Sequence, residues 1–168
     1  MTIEIDIDIA IDSPGWSVLP DLEAIVRRSI DGAAAAVDLD APEGAEVSIL
    51  FCDDAAIKVL NREWRQKDKP TNVLSFPAAQ PEGIDGPELL GDIAVAFETT
   101  RREAEQDGKT LSDHVSHLLV HGFLHLIDYD HETADEAEAM EQLETRILAN
   151  LGIGDPYAGT EVDEVARP

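Results

Sequence analysis

The sequence predicts a mixed α/β domain with a small mixed sheet, and three observations favour this class. Strand-like and helix-like patterns follow one another in the order β-α-β-α-β-β-α-α-α. The length of 168 residues suits one domain. Neither an internal repeat nor a linker interrupts the pattern. We therefore expect a single domain over residues 1–157 and a loosely ordered acidic tail over residues 158–168.

The first three elements follow from hydrophobic periodicity. Residues 2–10 carry isoleucine at every second position between acidic residues, which is typical of a half-buried strand. Residues 19–37 place apolar side chains at helical spacing. Residues 47–51 are continuously apolar apart from one serine, and we expect a second strand there.

The second helix has both of its ends marked in the sequence. Asp53 is a suitable N-cap, and the helix must end before Pro70. The spacing of Ile57, Leu60 and Trp64 places them on one helical face. We therefore expect all three side chains in the core.

The remaining elements continue the pattern toward a helical second half. Residues 72–76 are strand-like, residues 78–88 form a loop rich in Pro and Gly, and residues 89–97 form a strand apolar enough to be internal to the sheet. Three helices are expected after it, over residues 98–107, 111–127 and from 132 or 133 to 150.

The charge balance is strongly acidic. Twelve Lys and Arg residues face 36 Asp and Glu residues, which gives a net charge of −24. Such a field disfavours a protein that holds nucleic acid through a globally basic surface. Five of the cations nevertheless fall within one short stretch, which is a candidate basic patch: Lys58, Arg62, Arg65, Lys67 and Lys69.

The composition also bears on the compartment. Cys52 is the only cysteine, so the chain can form no internal disulfide, which is consistent with a reducing compartment. The sequence has neither a secretory signal pattern nor an apolar run of about 18 residues. We expect a cytoplasmic protein without a membrane partner.

The histidines indicate a metal site on a helix of the C-terminal half. All five lie between residues 114 and 131. His117, His121 and His125 share one helical face, but the first and last lie about 12 Å apart and cannot bind one ion together. His121 and His125 can chelate one ion, with His131 as the third ligand. Three ligands with an open fourth position are typical of catalytic zinc.

Alternatives remain for the other histidines and for the chemistry. His114 and His117 are expected to be non-ligands, one exposed and one supporting a ligand. The whole set can also be surface or core histidines without metal. Zinc proteases carry a glutamate directly after the first histidine of the pair, and Gly122 occupies that position here. A peptidase is therefore disfavoured.

The histidine segment resembles a known signature. Residues 121–131, HGFLHLIDYDH, resemble the signature of the YbeY family of bacterial endoribonucleases. Residues 60–77, LNREWRQKDKPTNVLSFP, resemble its second motif, and residues 90–93, LGDI, its third. The similarity extends over about residues 45–157.

The resemblance implies an activity and a site. It implies a single-strand-specific, zinc-dependent endoribonuclease that matures the 3′ end of small-subunit rRNA and acts in ribosome quality control. One Zn²⁺ would bind His121, His125 and His131, and Arg65, with His121, would serve catalysis. The implied partners are single-stranded RNA and ribosomal small-subunit proteins.

Two positions depart from the family pattern, and two other functions stay open. Asp128 stands where the family usually has glycine, and Asn72 where it usually has aspartate. The chain can instead be a non-enzymatic ribosome-assembly factor with a structural metal, whose fourth ligand would be Asp128, Asp130 or His117. The other alternative is a different zinc hydrolase, such as a peptidase.

Overall fold

The residues that the structure describes form one sheet of four strands. The computed structural model describes residues 5–37, 44–78, 89–127 and 133–154. The strands are β1 (Asp6–Ile11), β2 (Glu46–Cys52), β3 (Val73–Pro77) and β4 (Leu89–Ala96). They pair in the order β1-β2-β4-β3; β1 and β4 run parallel to β2, and β3 runs antiparallel to β4. The sheet is therefore mixed, with β4 internal, as predicted.

Five α-helices lie within the described ranges and accompany this sheet. They are α1 (Leu22–Ala36), α2 (Asp54–Arg65), α3 (Phe97–Gln106), α4 (Leu111–Leu126) and α5 (Ala134–Asn150). A short 3-10 helix, which the sequence patterns did not indicate, spans Pro14–Val18. Asp53 accepts a hydrogen bond from the Ala56 N–H at 2.8 Å, so its predicted role as the N-cap of α2 is confirmed.

The two faces of the sheet are covered differently. Because side chains alternate along a strand, Ile49, Ile93 and Val95 face α1, α4 and α5 in the larger core. Leu74 and Ala94 point to the other face, where α2 packs in a smaller core. The metal-site helix α4 therefore lies on the thickly covered face, and α2 lies on the opposite face.

The predicted fold class and the order of elements are confirmed. The described residues form one domain, and no helix among them has the length and apolar character needed to cross a membrane. The domain boundary at residue 157 and the acidic tail over residues 158–168 stay predictions, because the described part of the chain ends at residue 154. Most of the predicted loop over residues 78–88 also lies outside the described residues.

The predicted burial of Trp64 is wrong. Ile57 is fully buried, but 61% of the Trp64 surface is exposed. Helical spacing places Trp64 on the face of α2 that turns to the sheet, yet this single helix covers only part of that sheet face. Trp64 therefore lines an open groove of about 390 Å³, together with Leu60, Phe76 and the carboxylates Asp8 and Asp92.

Candidate metal centre

Helix α4 brings two of the predicted ligands together. Thr110 caps its N-terminus by accepting a hydrogen bond from the Asp113 N–H at 3.1 Å. One turn of helix separates His121 from His125, and their Nε2 atoms lie 3.1 Å apart. His121 is buried, and His125 is half-buried. The structure thus places these two histidines side by side, and their predicted role as ligands of one ion stays a prediction.

A buried carboxylate on α5 lies behind the histidine pair. The His121 Nδ1–H donates to Glu144 Oε1 at 2.5 Å, and the His117 Nε2–H donates to Glu144 Oε2 at 3.1 Å. Burial raises the pKa of Glu144, but the hydrogen bonds from His117 and His121 outweigh it and hold the pKa well below its ordinary value. Burial also lowers the pKa of His117, against the opposing effect of Glu144. Glu144 is therefore ionised at neutral pH.

This donor set fits a zinc ion. Tetrahedral zinc with Zn–N bonds of about 2.0–2.1 Å holds two nitrogen ligands about 3.4 Å apart. The spacing of 3.1 Å between the two Nε2 atoms is close to that value. The Nδ1–H of His121 donates to a carboxylate, as metal-bound histidines usually do, and this leaves Nε2 as the atom that faces His125.

The third predicted ligand, His131, lies outside the described residues, as do Asp128 and Asp130. Within the ranges that the structure describes, no group of three or more His, Cys, Asp or Glu side chains is placed to hold a metal. The described residues thus contribute a pair of donors, and the three-histidine set stays a prediction.

The other two histidines do not match the prediction that one of them is exposed. His114 is 5% exposed, and its Nε2–H donates to Glu103 Oε1 at 2.9 Å. The side chain of His117 is 14% exposed. Each histidine points to a carboxylate from another helix, Glu103 of α3 or Glu144 of α5, so both are held inside the fold. Of the two, His117 is the one connected to a predicted ligand, because Glu144 bonds to both His117 and His121.

Asn72, one of the departures from the family pattern, has a defined structural role. Its Nδ2 donates to Glu103 Oε1 at 3.0 Å, and its Oδ1 accepts from the Val73 N–H at 2.6 Å. The same Glu103 oxygen accepts from His114. Burial raises the pKa of Glu103, but the bonds from His114 and Asn72 prevail and lower it. An amide at position 72 therefore suits a carboxylate at position 103.

Arg65 lies at the edge strand β3 rather than beside the histidines. Its Nη2 donates to the Ser75 carbonyl oxygen at 2.7 Å, and its guanidinium carbon lies 5.0 Å from the centre of the Phe76 ring. Ser75 in turn donates through its hydroxyl to the Gly122 carbonyl oxygen at 3.1 Å. Ser75 thus connects exposed Arg65 with the turn of α4 that carries His121.

Gly122 allows the close approach of α4 to the sheet. A Cβ at this position would lie 3.0 Å from Ser75 Oγ and 3.1 Å from Ile93 Cγ2. A larger residue would require the side chains of Ser75 and Ile93 to shift by a few tenths of an ångström. Gly122, which occupies the position of the protease's glutamate, is therefore a residue at which α4 lies close to β3 and β4.

The sequence patterns missed the two carboxylates, Glu144 and Glu103. Glu144 lies within an acidic stretch of α5, a composition typical of a solvated helix surface. A signal was nevertheless present, because Glu144 shares the helical face of Met140, Ile147 and Leu148, all of which are buried. A carboxylate within an apolar helical stripe indicates a buried polar partner.

Fold and site together define a class of protein: a mixed α/β domain in which a buried carboxylate supports a histidine pair suited to a metal. The family profile described as Endoribonuclease YbeY matches residues 16–152. This chain belongs to the YbeY endoribonuclease family.

Individual relatives agree with this assignment. A protein of Rhodopseudomonas palustris named Endoribonuclease YbeY is 56% identical over 154 residues, which cover 90% of this chain and 89% of the relative. Its counterpart in Bradyrhizobium diazoefficiens is 59% identical over 147 residues, covering 85% and 80%. The solution structure of TM1509 from Thermotoga maritima has the same fold, with a TM-score of 0.51 and 22% identity over 94% of this chain and 98% of that one.

Proposed function

We propose that this chain is a zinc-dependent endoribonuclease that cleaves single-stranded rRNA precursors, maturing the 3′ end of small-subunit rRNA and serving ribosome quality control. The observation that carries the proposal is that the Nε2 atoms of His121 and His125 lie 3.1 Å apart, while the buried carboxylate of Glu144 accepts a hydrogen bond from the His121 ring. The relatives' name, Endoribonuclease YbeY, supports RNA as the substrate.

The ligands proposed for one Zn²⁺ are His121, His125 and His131. A bound zinc ion supplies Lewis acidity toward a phosphoryl oxygen or a water molecule. His121 presents Nε2 because its Nδ1–H is donated to Glu144.

Arg65 is proposed to bind the phosphodiester of the RNA. The guanidinium is exposed, carries five N–H donors and is held in place by the Ser75 carbonyl oxygen and the Phe76 ring. A guanidinium fixed in this way can bind a phosphate with two parallel hydrogen bonds and stabilise charge that develops on it. Its connection through Ser75 to Gly122 gives it a defined position relative to α4.

Cleavage of a labelled single-stranded RNA with the sequence of an rRNA 3′ end tests the proposal. The natural chain should lose activity on chelation and regain it with Zn²⁺, and His121→Ala should stay inactive in both states. His114→Gln is the matched control, because it replaces a histidine of the same helix that is bonded to Glu103, away from the pair. Equal cleavage by the natural chain and His121→Ala would refute the proposal and favour a non-enzymatic assembly factor.

The proposed setting is the cytoplasm, with ribosomal small-subunit proteins as partners that bring the substrate to the site. The net charge of −24 supports a need for such partners, because the chain as a whole repels RNA.

A further inference from the structure

We infer that Glu144 is a positioning residue for the metal centre, which holds His121 in the tautomer and orientation that a metal ligand needs. The inference rests on the proposed function, since it assigns a role toward the zinc ion. It concerns a residue on α5, 23 positions beyond His121 along the chain and outside all of the motifs identified in the sequence.

The environment of Glu144 is unusual for a carboxylate. Its side chain has no exposed surface, and hydrophobic neighbours on its own helix, such as Ile147 and Leu148, are buried around it. Burial of an ionised carboxylate is costly unless its oxygens receive hydrogen bonds. Here each oxygen accepts one, Oε1 from His121 and Oε2 from His117. Both oxygens thus have fixed partners, which also fixes the plane of the carboxylate.

This fixed carboxylate determines the state of His121. A carboxylate oxygen accepts, so this hydrogen bond requires a proton on the Nδ1 of His121. Its Nε2 then carries a lone pair and lies 3.1 Å from the Nε2 of His125. A carboxylate that accepts a hydrogen bond from Nδ1 also makes Nε2 a stronger donor to a metal.

His117 has a supporting part in this arrangement. It lies one turn before His121 on α4, and its bond to Oε2 prevents the carboxylate from turning away from His121. The three side chains, His117, Glu144 and His121, thus join α4 to α5 at the metal centre. If this contact only held the two helices together, it would require neither the charge of Glu144 nor a particular tautomer of His121.

The test measures zinc affinity by competition with a chromophoric chelator, with the natural chain, Glu144→Gln and Glu138→Gln. Glutamine preserves the shape of the side chain but removes its charge. We expect Glu144→Gln to bind Zn²⁺ about 10–100-fold more weakly. Glu138→Gln removes the same charge from an exposed position of α5 and should bind within about threefold of the natural chain.

A second measurement does not depend on any variant. Long-range ¹⁵N–¹H correlation spectra of the metal-free natural chain report which ring nitrogen of each histidine carries the proton. We expect His121 as the Nδ1–H tautomer, and an Nε2–H tautomer would overturn the inference even if Glu144→Gln fails to fold. The spectrum of a folded Glu144→Gln should show this preference weakened.

The outcomes separate this inference from the proposed function. If the natural chain does not bind Zn²⁺, the zinc-dependent function is refuted, and the inference with it. If the natural chain binds Zn²⁺ and folded Glu144→Gln binds it equally well, only the positioning role of Glu144 is refuted. A loss of affinity confined to Glu144→Gln, with the Nδ1–H tautomer in the natural chain, supports both.

Discussion

Arg65 and the histidine pair are held by different contacts, because Arg65 bonds to β3 and to its own helix. Its partners are the Ser75 carbonyl oxygen at 2.7 Å, the Trp64 carbonyl oxygen at 3.4 Å and the Phe76 ring. We expect Arg65→Ala to slow RNA cleavage about 100-fold, the usual cost of losing one donor to developing charge. Zinc affinity should stay within about threefold, which competition with a chelator measures.

Arg62→Ala is the control for Arg65→Ala. It removes an exposed cation from the same turn of α2 and should change cleavage only through weaker attraction of RNA. A loss of cleavage as large as that of Arg65→Ala would mean that this helix contributes only a general positive charge.

Glu103 makes stability depend on pH in a predictable direction. Hydrogen bonds from His114 and Asn72 overcome the effect of burial and lower its pKa from the ordinary value of 4.5. A group whose pKa is lower in the folded state stabilises above the unfolded pKa and loses this effect as pH falls through the folded pKa. At pH 7 the free energy of unfolding of Glu103→Gln should therefore be about 1–2 kcal/mol lower than that of the natural chain. This difference between the two proteins should become smaller below pH 4.5.

Urea unfolding of both proteins between about pH 7 and pH 3 measures this difference. Glu105→Gln is the matched control, because Glu105 lies on the same helix in an exposed ion pair with Arg101 and should contribute little. A difference between the natural chain and Glu103→Gln that stays constant down to pH 3 would contradict the prediction.

Individual residues also show which parts of the candidate site could be predicted from the sequence and which could not. The pairing of His121 with His125 was predictable, because helical geometry alone places positions i and i+4 together. The role of Glu144 was not, since its contact with His121 depends on how α5 packs against α4. Trp64 was misjudged for a related reason: helical spacing gives the direction of a side chain but not the extent of the surface opposite it.

At the scale of the elements, the packing of β4 against β3 and α4 depends on Gly91. This residue has φ +142, and a Cβ there would lie 2.4 Å from the Phe76 carbonyl oxygen and 2.8 Å from Leu126 Cδ2. Gly91→Ala must therefore strain the backbone and separate β4 from β3 or from α4. We expect it to lower the free energy of unfolding by about 3 kcal/mol, as measured by urea titration.

Gly152→Ala isolates the contribution of backbone strain. Gly152 has φ +81, but nothing lies within 4 Å of the Cβ it would gain. It should cost about 1 kcal/mol, the strain of a left-handed position alone. If Gly91→Ala and Gly152→Ala lower the free energy of unfolding equally, the close approach of Phe76 to Gly91 adds nothing to the cost of backbone strain.

The order and type of the elements were predictable from periodicity, whereas their pairing was only partly so. The alternating isoleucines of β1 indicated a half-buried strand and the apolar run of β4 an internal one, and β4 does lie between β2 and β3. Nothing in the strand patterns specified that β3 pairs antiparallel with β4 alone. That pairing brings Ser75 beside Gly122 and so connects the second motif with the metal centre.

For the whole molecule, charge determines how RNA can approach. The net charge is −24, and the five cations between residues 58 and 69 lie on α2 and the segment that follows it. An acidic chain with one basic patch should bind free single-stranded RNA weakly. It should also bind with few phosphate contacts, and hence with a shallow dependence on salt.

Replacement of two cations in this patch tests the path of the RNA. Lys67→Gln combined with Lys69→Gln removes two exposed charges, and each phosphate contact contributes about 0.7 to the slope of log affinity against log salt for single strands. We expect the slope, measured by fluorescence anisotropy with labelled RNA, to become shallower by about 1.4. Arg28→Gln removes an exposed cation from α1, which packs against the opposite face of the sheet, and should leave the slope unchanged. If instead Arg28→Gln makes the slope shallower and the double lysine variant leaves it unchanged, the RNA lies along α1, away from Arg65. That result would contradict the role proposed for Arg65.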